Sequence, residues 1–461
     1  MIIISSRYSA LPSFRYIANL LLSDWYTGHK VVFDHSSTPG YSLTFDNGKE
    51  IHVNSPFFEH VYNFGYNVNI LDNFNPVDVS LPKRYRDLLG ISTLPIIDFS
   101  PTKEKIDGFE RYEEIKFDIF GACFFLVTRL DEYLNHSTDQ HDRFPGTASL
   151  ASKHGYLYLP LADIYSILFT DYVKEACQTQ LIPNTTYDNN VTCDVDNPFL
   201  FQRKFRGIIK RAGADIVLRK NMTSGITTLL GALLPNFTTQ HFDPFKNGID
   251  YIMRVNDMHS NSVRFNFIPL HTSDRYDGEN IFQSKILKEL LRQILDRGHK
   301  IGIHPGFETY MSAANMNESV KIFTDMIYSL DGSEFVSGRQ HYLRWKTGIT
   351  ETLLDNAGVD EDSSLSFADT GGFRCGTSRP FTLYDLAKDA KTKVIEKPLI
   401  VMETSYFGQG YLNVPADEIF NEMSELKNWS KKVDGTFSLL WHNCGLQTRN
   451  RREIYEQLLM C

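Results

Sequence analysis

The chain has 461 residues, 42% of them hydrophobic and 13% aromatic, so it can bury a large core, and its length predicts two domains, with three as the alternative. A formal net charge of −9, a pI near 5.9 and the lack of a long basic run give no electrostatic reason to expect a nucleic-acid or anionic-membrane partner. Six scattered cysteines without a CxxC pair argue against a disulfide framework and a structural zinc site.

The amino-terminal segment predicts a strand followed by a helix. Its sequence, MIIISSRYSALPSFRYIANLLLSDW, lacks the basic start, apolar centre and small-residue cleavage site of a signal peptide, so we expect a cytoplasmic, unglycosylated protein. The most apolar later stretch, FDIFGACFFLVTRL from Phe117 to Leu130, is shorter than the roughly 20 residues of a membrane span. Asp118 and Arg129 interrupt it, so it predicts a buried core helix and no transmembrane segment.

Residues 1–185 are predicted to form an α+β domain of unknown role. Alternating residues with Pro-Gly and Asp-Asn-Gly turns in HKVVFDHSSTPGYSLTFDNGKEIHV are typical of β-structure. The polar, proline-containing segment Thr179–Asp188 marks the predicted boundary. A loop before it is a weak candidate for a metal site, because polar clusters of this kind are mostly solvated surface. The loop residues considered are His136, Asp139, His141 and Asp142.

Residues 186–461 show β-rich runs that alternate with amphipathic helices, the pattern of an α/β domain with a mainly parallel sheet or barrel. The clearest unit is the strand VRFNFIPL from Val263, a helix from about Ile281 to Arg297, and the strand KIGIH. Gly298 is expected to cap the helix. A second helix leads to the strand-like FVSGRQHYLR, and further strands are predicted at PLIVME and TFSLLWH.

Polar residues follow four predicted strands, namely one that ends at Cys193 and those at KIGI, FVSG and FSLLW. They lie at the carboxyl ends, where active sites of parallel α/β folds are found. Each has a structural alternative, since aspartate before Asn-Pro often caps a turn and a lone histidine after a strand is more often a hydrogen-bonded structural residue. Their recurrence favours one divalent-metal site with an acid and a base. The residues are Asp194, Asp196, His304, Arg339, His341, Arg344 and His442.

The aspartate pair suits metal hydrolysis because residues i and i+2 of an extended segment project to the same side. Aspartate and histidine bind divalent ions such as Zn²⁺, which lower the pKa of a bound water to about 7. A second carboxylate that is not a metal ligand can take the proton of that water, and a histidine on the far side can protonate a leaving amine or alkoxide.

From about Asn190 onward the sequence resembles the polysaccharide deacetylases of carbohydrate esterase family 4, the NodB-homology enzymes, which deacetylate N-acetylated sugars. TCDVD resembles the first family motif, GHKIGIHPGFE the metal motif, GRQHYLR the arginine motif and LLWHN the final strand. FDIFGACFFLVTRLDEYL, DRFPGTASLASKHGYLYLPLAD and DSSLSFADTGGFRCGTSRPF resemble a divergent branch found with capsule and O-antigen biosynthesis genes. The resemblance implies a distorted (β/α)7 barrel after a separate N-terminal domain, and a divalent metal, with Zn²⁺ favoured over Co²⁺, Mn²⁺ or Ni²⁺.

The resemblance also implies roles for five residues. Asp194 would be the base, Arg339 its orienting partner and His442 the general acid, and the metal ligands would include Asp196 and His304. The sequence departs from the family pattern at three points. Val195 separates the two aspartates, Glu308 replaces the second histidine of the metal motif, and His341 replaces a proline of the arginine motif.

The third metal ligand is therefore either His341, which would give an Asp-His-His set, or Glu308, which would give Asp-His-Glu. We favour His341, because its strand should end beside the strand of His304. A proline directly after His304 favours a loop that need not return Glu308 to the site.

Three arginines are candidate substrate-binding groups, because arginine binds carboxylates and phosphates bidentately. They are Arg344 and, in the glycine-rich GGFRCGTSRPF, Arg374 and Arg379. The alternative for the latter two is a pair of loop-anchoring salt bridges.

The sequence thus predicts a metal-dependent hydrolase that removes an N-acetyl group from an amino sugar of a surface-polysaccharide precursor. The alternatives are a hydrolase of another non-peptide C–N bond and a catalytically altered barrel that binds a glycan or acts as a scaffold. A nucleotide-dependent transferase finds no support, since there is no GxGxxG and no phosphate-binding glycine loop. Homo-oligomerisation is left open.

Overall fold

The computed structural model shows a mixed α/β protein. It describes residues 1–100, 117–201, 208–209, 212–213, 216–217, 222–231, 243–408, 411–412, 414–446 and 448–460. The N-terminal part contains a four-stranded sheet and two two-stranded sheets, and the C-terminal part contains a nine-stranded sheet.

The elements of the N-terminal part are short. Its strands are β1 (Ile2–Ser6), β2 (Tyr26–Thr27), β3 (Val31–Asp34), β4 (Tyr41–Phe45), β5 (Glu50–Val53), β6 (Asn75–Ser80), β7 (Thr93–Asp98) and β8 (Ile182–Pro183). Its helices are α1 (Pro12–Asn19), α2 (Pro56–Phe64), α3 (Lys83–Leu89), α4 (Ile119–Thr128), α5 (Leu130–Leu134), α6 (Leu150–Lys153) and α7 (Leu161–Cys177).

The C-terminal part alternates strands and helices. Its strands are β9 (Asp188–Val195), β10 (Arg264–Phe267), β11 (Lys300–Ile303), β12 (Ser337–Gly338), β13 (Glu361–Asp362), β14 (Phe381–Asp385), β15 (Ala390–Glu396), β16 (Val401–Met402) and β17 (Thr436–Leu440). Its helices are α8 (Met222–Gly231), α9 (Pro244–Met258), α10 (Lys285–Asp296), α11 (Ala313–Asp331), α12 (Thr350–Ala357), α13 (Glu403–Phe407), α14 (Ile419–Lys432) and α15 (Arg449–Met460).

Two predictions for the N-terminal part are confirmed. Strand β1 and helix α1 form the predicted strand and helix. The apolar stretch predicted as a core helix is α4, and all ten of its residues are buried. Asp118 caps this helix, since its carboxylate accepts a hydrogen bond from the Gly121 amide. Among the helices that the structure describes, none is long and apolar enough to cross a membrane.

The nine-stranded sheet places the candidate residues along one edge. Its strand order is β14-β15-β13-β12-β11-β10-β9-β17-β16, and every neighbouring pair is parallel except β14 with β15. The carboxyl ends of β12, β11, β10, β9 and β17 therefore lie side by side. The predicted α/β class with a mainly parallel sheet is confirmed, whereas the (β/α)7 barrel and the division at residue 185 stay predictions.

Helix α10 connects strand β10 to strand β11, and its sequence explains where it begins, which face it buries and where it ends. Its apolar face packs inward through Leu287, Leu290, Leu291 and Ile294, which recur at helical spacing. The helix begins at Lys285 rather than near 281, because the Ser284 hydroxyl caps it by accepting from the Leu287 amide. As predicted, a glycine follows its end: Gly298 has φ +77° and turns the chain back into β11.

Two strands differ from the predicted bounds. Strand β9 continues past Cys193 to Val195, so Asp194 lies inside the strand opposite Asn266 of β10. Strand β12 is much shorter than predicted. At Gly338 it passes so close to β11 that a Cβ atom would lie 1.8 Å from a carbonyl oxygen, and the chain leaves the extended conformation soon afterwards. Tyr342 and Leu343 both have positive φ, which no strand accommodates.

The two parts of the chain pack on one another. Buried apolar side chains from β1 through α15 form one continuous core. Tyr16 in α1 donates a hydrogen bond to the carbonyl of Thr382 in β14 (2.7 Å), and the Trp25 indole N–H donates to the carbonyl of Pro380 (3.1 Å). The N-terminal part is therefore held against the large sheet by buried contacts.

Candidate active site

Side chains that follow three strands, β9, β11 and β12, meet at the edge of the large sheet. Asp196 follows β9, His304 follows β11, and His341 lies beyond β12. One carboxylate oxygen of Asp196, Oδ1, lies 3.5 Å from His304 Nε2 and 3.5 Å from His341 Nε2. These three ligand atoms all lie within 4.8 Å of one another. The structure thus brings together an Asp-His-His set, with the third position taken by His341.

The chemistry of this set fits a divalent metal. Asp196 Oδ1 is buried and has no hydrogen-bond partner among the described residues, which is costly for a carboxylate unless a cation neutralises it. Burial opposes its ionisation, but the imidazoles of His304 and His341 hold the Asp196 pKa well below its usual value. Carboxylate and imidazole are the ligands that Zn²⁺ takes in catalytic sites.

Both histidines are oriented by partners behind them. His304 Nδ1 donates to the carbonyl of Arg339 (2.6 Å), and His341 Nδ1 donates to Asp277 Oδ1 (2.7 Å). Each bond uses Nδ1 as the donor, so Nε2 is the ring nitrogen that faces Asp196 and would ligate a metal once deprotonated. Burial lowers the pKa of His341, but Asp196 and Asp277 together raise it to about 9. Partners of this kind commonly orient metal-ligating histidines in proteins.

Asp277, which orients His341, was not among the residues predicted from the sequence. Its carboxylate accepts hydrogen bonds from the backbone amides of Thr272 (2.7 Å) and Phe307 (2.8 Å), in addition to the His341 bond. Although burial opposes it, the contact with His341 lowers the pKa of Asp277 to about 2. The only sequence signal is a loop position after β10, which it shares with charged neighbours such as Asp274 and Glu279.

Asp194 lies beside the metal set and is held in a different way. Its Oδ1 accepts from Arg339 Nη1 (3.0 Å) and from the Asn266 amide (2.8 Å), while its Oδ2 lies 3.8 Å from His304 Nε2. Burial raises its pKa, but Arg339, together with His304, His442 and Asn266, outweighs burial and lowers the pKa below its usual value. Arg339 is itself fixed by Thr192 and by the backbone and hydroxyl of Ser363.

His442 follows β17 on the other side of β9. Its Nδ1 donates to Glu403 Oε1 (2.7 Å), and the same oxygen accepts from the His442 amide (3.0 Å). Burial lowers the pKa of His442, but the Glu403 carboxylate, together with Asp196 and Asp194, raises it well above the usual value. The acid form of His442 is therefore stabilised. Glu403 was not predicted, because nothing in PLIVMETSYF marks it as a partner of a residue 39 positions away.

Glu308 does not join the metal set. Its side chain is 49% exposed and pairs with Arg344 Nη1 (3.1 Å). Arg344 is otherwise fixed by the carbonyls of Phe307 (2.7 Å) and His141 (2.9 Å), and its guanidinium lies 3.8 Å from the ring centroids of Phe307 and Tyr310. Arg344, which was predicted to bind substrate, is thus a buried residue that anchors loops. Its guanidinium N–H groups already donate to these carbonyls, and its charge is paired with Glu308.

The other two candidate substrate arginines are buried in ion pairs. Arg374 binds Glu132 with two hydrogen bonds, Nε to Oε1 (2.8 Å) and Nη2 to Oε2 (2.7 Å), and its side chain is only 1% exposed. Arg379 lies 4.0 Å from Asp163 and donates to the carbonyl of Val433 (2.8 Å). The geometry therefore matches the alternative of loop-anchoring salt bridges, and the structure places neither at the metal set.

Replacing Arg374 with methionine is expected to lower the free energy of unfolding by about 3–5 kcal/mol, because it leaves the Glu132 carboxylate buried without its partner. The measurement is the shift of the urea unfolding curve followed by circular dichroism. The matched control is Lys285→Ala, which breaks an exposed pair with Glu289 and should change stability by less than about 1 kcal/mol. Equal, small losses in both variants would show that the buried pair is not a stabilising anchor.

Comparisons with known proteins find matches that cover only part of the chain or have low sequence identity. Residues 1–178, less than half of the chain, match the model of a family of unknown function (DUF7033). None of the curated proteins matches the chain. A solved structure from Mycobacterium smegmatis, provisionally described as a polysaccharide deacetylase, is 14% identical, with a TM-score of 0.38, over 60% of this chain and 83% of that one.

Two further solved structures are similar over a smaller part. A family 4 carbohydrate esterase from Streptomyces lividans, in complex with acetate, is 11% identical over 46% of this chain and 80% of its own, with a TM-score of 0.28. A family 4 pseudoenzyme from Bacillus anthracis is 10% identical over 46% and 55%, also with a TM-score of 0.28. At such values these likenesses carry no argument, and the function is argued from the site itself.

Proposed function

We propose that this chain is a metal-dependent hydrolase that removes the N-acetyl group from an amino sugar of a surface-polysaccharide precursor. One observation carries the proposal. An ionised carboxylate held by an arginine, an Asp-His-His set and a histidine with its acid form stabilised converge at one edge of the sheet. These are the base, the metal ligands and the acid that amide hydrolysis needs.

In this proposal Asp194 takes a proton from the water that attacks the amide carbonyl. The Arg339 guanidinium keeps Asp194 ionised and directs Oδ2 toward the metal set. As the new C–O bond forms and the C–N bond breaks, His442 donates its proton to the departing amine, which leaves as the free amino sugar beside acetate. Glu403 holds His442 in the orientation and protonation state for this step.

The metal would be held by Asp196, His304 and His341, with zinc as the first candidate. A divalent ion in such a site polarises the carbonyl and lowers the pKa of water. Asp277 and the carbonyl of Arg339 keep the two imidazoles in the ligating tautomer. The proposal includes a barrel domain from about residue 186 and an N-terminal domain before it.

The test is acetate release. Protein loaded with Zn²⁺ is incubated with N-acetylglucosamine, its β-1,4-linked trimer and UDP-N-acetylglucosamine, and acetate and free amine are measured together. We expect equal amounts of both from at least one substrate, and loss of both after treatment with a chelator. Asp194→Asn should retain the metal but lose activity by about 100-fold or more. If the metal-loaded protein binds these sugars but releases no acetate, it is a glycan-binding protein, and the hydrolase proposal is wrong.

A further inference from the structure

One loop of the N-terminal part lies against the candidate active site. Residues 139–144 lie between α5 and α6, within the stretch that matches the family of unknown function. They contact the chain just after the ligand His341. The Arg344 guanidinium donates to the carbonyl of His141 (2.9 Å), and Tyr310 donates to the carboxylate of Asp142. The prediction that this loop is solvated surface is therefore wrong where residues 139–144 contact the C-terminal part of the chain.

Arg143 is the buried link between the loop and the metal set. Its Nε donates to Asp139 Oδ2 (2.8 Å) and its Nη1 to the carbonyl of Tyr342 (3.1 Å). Tyr342 and Leu343 have φ of +63° and +56°, a conformation that costs energy in residues with a Cβ atom and persists only where surrounding contacts hold it. Arg143 supplies one of these contacts, one residue away from His341.

His141 completes a cluster of rings next to the ligands. Its ring centroid lies 4.9 Å from that of Tyr342 and 5.3 Å from that of Tyr276, and Tyr276 stacks on Phe307 at 4.1 Å. The ring of Tyr342 is in turn 4.8 Å from that of His341. Phe307 is buried, but the other three rings of the cluster (His141, Tyr276 and Tyr342) are only half-buried, so they present accessible surface beside the metal set.

His141 also carries a polar atom without a partner. Its Nδ1 is buried and makes no hydrogen bond within the described part of the chain. Burial and the positive charge of Arg143 lower the pKa of His141, which favours its neutral imidazole. Its Nε2 lies 3.3 Å from the side-chain amide of Gln140. Half-buried aromatic faces of this kind suit an uncharged ring that carries hydroxyl groups.

We propose that residues 139–143 complete the active site, with His141, Tyr276 and Tyr342 forming a subsite for a sugar ring next to the metal ligands. Arg143 is a positioning residue, because it acts on the subsite and on His341 through Tyr342. The inference rests on the proposed function for the identity of the ligand as a saccharide. It assigns a role to the N-terminal part: the large sheet supplies the catalytic groups, and the N-terminal loop supplies one wall of the substrate site.

The test compares saccharide binding with metal binding. The variants are His141→Ala, Tyr276→Ala and Tyr276→Leu, with His136→Ala as the matched control, an exposed histidine in the same loop. The probe is the trimer of N-acetylglucosamine, with binding measured by saturation-transfer NMR. We expect about tenfold weaker binding in the first three variants and no change in the control. Zinc content should stay within twofold, since neither His141 nor Tyr276 belongs to the Asp-His-His set.

Arg143→Ala tests the positioning role. Its zinc affinity is expected to fall by about 10-fold or more, as for other residues that orient a metal ligand, and Arg143→Lys should restore part of it. Trimer binding equal to that of the wild type in His141→Ala and both Tyr276 variants, or no trimer binding by the wild type, overturns the inference. The proposed function fails separately, if zinc-loaded wild type binds the trimer through these residues but releases no acetate from any N-acetyl sugar.

Discussion

Asp196→Ala protein is expected to hold less than a tenth of the divalent metal bound by the wild type. Asp196 supplies the only carboxylate of the set, and its Oδ1 stands 3.5 Å from both ligating nitrogens. Without it, two neutral imidazoles would have to hold a dication alone, and catalytic zinc sites normally use three protein ligands. Its Oδ1 also has no hydrogen-bond partner among the described residues.

The measurement is metal content after purification without chelator and dialysis against Zn²⁺, by mass spectrometry. Wild type should contain about one ion per chain, and His304→Ala and His341→Ala should lose it as Asp196→Ala does. Glu308→Ala is the matched control. Glu308 follows His304 by four positions but pairs with Arg344 outside the set, so its loss should leave zinc content unchanged. Loss of zinc in Glu308→Ala with retention in His341→Ala would mean that the third ligand is the glutamate.

The Asp-His-His set that the structure brings together was predictable because its signals are local. An Asp-x-Asp pair at the end of a strand implies that both carboxylates project to one side, and the structure places Asp194 Oδ2 and Asp196 Oδ1 3.8 Å and 3.5 Å from the same nitrogen of His304. The choice of His341 over Glu308 followed from the proximity of strand ends and the proline after His304. Both are arguments about the first few residues after a strand.

The partners of these residues could not be predicted, because they depend on contacts between distant segments. Asp277 orients His341 from 64 positions away and Glu403 orients His442 from 39, and neither belongs to a recognisable spacing. The same limit applies to Arg374, whose partner Glu132 is 242 positions earlier in the chain. An arginine in a glycine-rich loop looks the same in sequence whether it faces a substrate or a buried carboxylate.

The fold was predictable where the pattern was long and periodic. Helices α4 and α10 were predicted correctly. A helix buried on all sides, such as α4, is apolar throughout, whereas a helix buried on one face, such as α10, carries an apolar stripe at helical spacing. The predicted length of β12 was too great, because the strand-like alternation of FVSGRQHYLR continues beyond Gly338, where the two-residue strand ends. The positive φ of Tyr342 and Leu343 is held by tertiary contacts such as the Arg143 bond, which the local sequence does not encode.

His442→Ala is expected to lower kcat for release of acetate from an N-acetyl sugar by about 10²–10⁴-fold, because an amine leaves only with a proton. Hydrolysis of 4-nitrophenyl acetate should fall far less, since nitrophenolate leaves without one. Glu403→Gln keeps a hydrogen-bond partner for His442 but removes the charge that raises its pKa. Its amide activity should therefore fall less, and the alkaline limb of its pH profile should move to lower pH, since a lower pKa means that the acid form is lost earlier as pH rises.

The comparison of the two substrates distinguishes proton donation from a structural role. If His442 only supported the fold of the β17 end, its replacement would lower ester and amide hydrolysis by the same factor and would reduce zinc content. Rates are measured across pH 5 to 10 on zinc-saturated protein, with His136→Ala as a control for loss of a histidine outside the site. An equal loss on both substrates, or an unchanged pH profile in Glu403→Gln, would remove His442 as the acid and leave the proton source to another group near the Asp194 carboxylate.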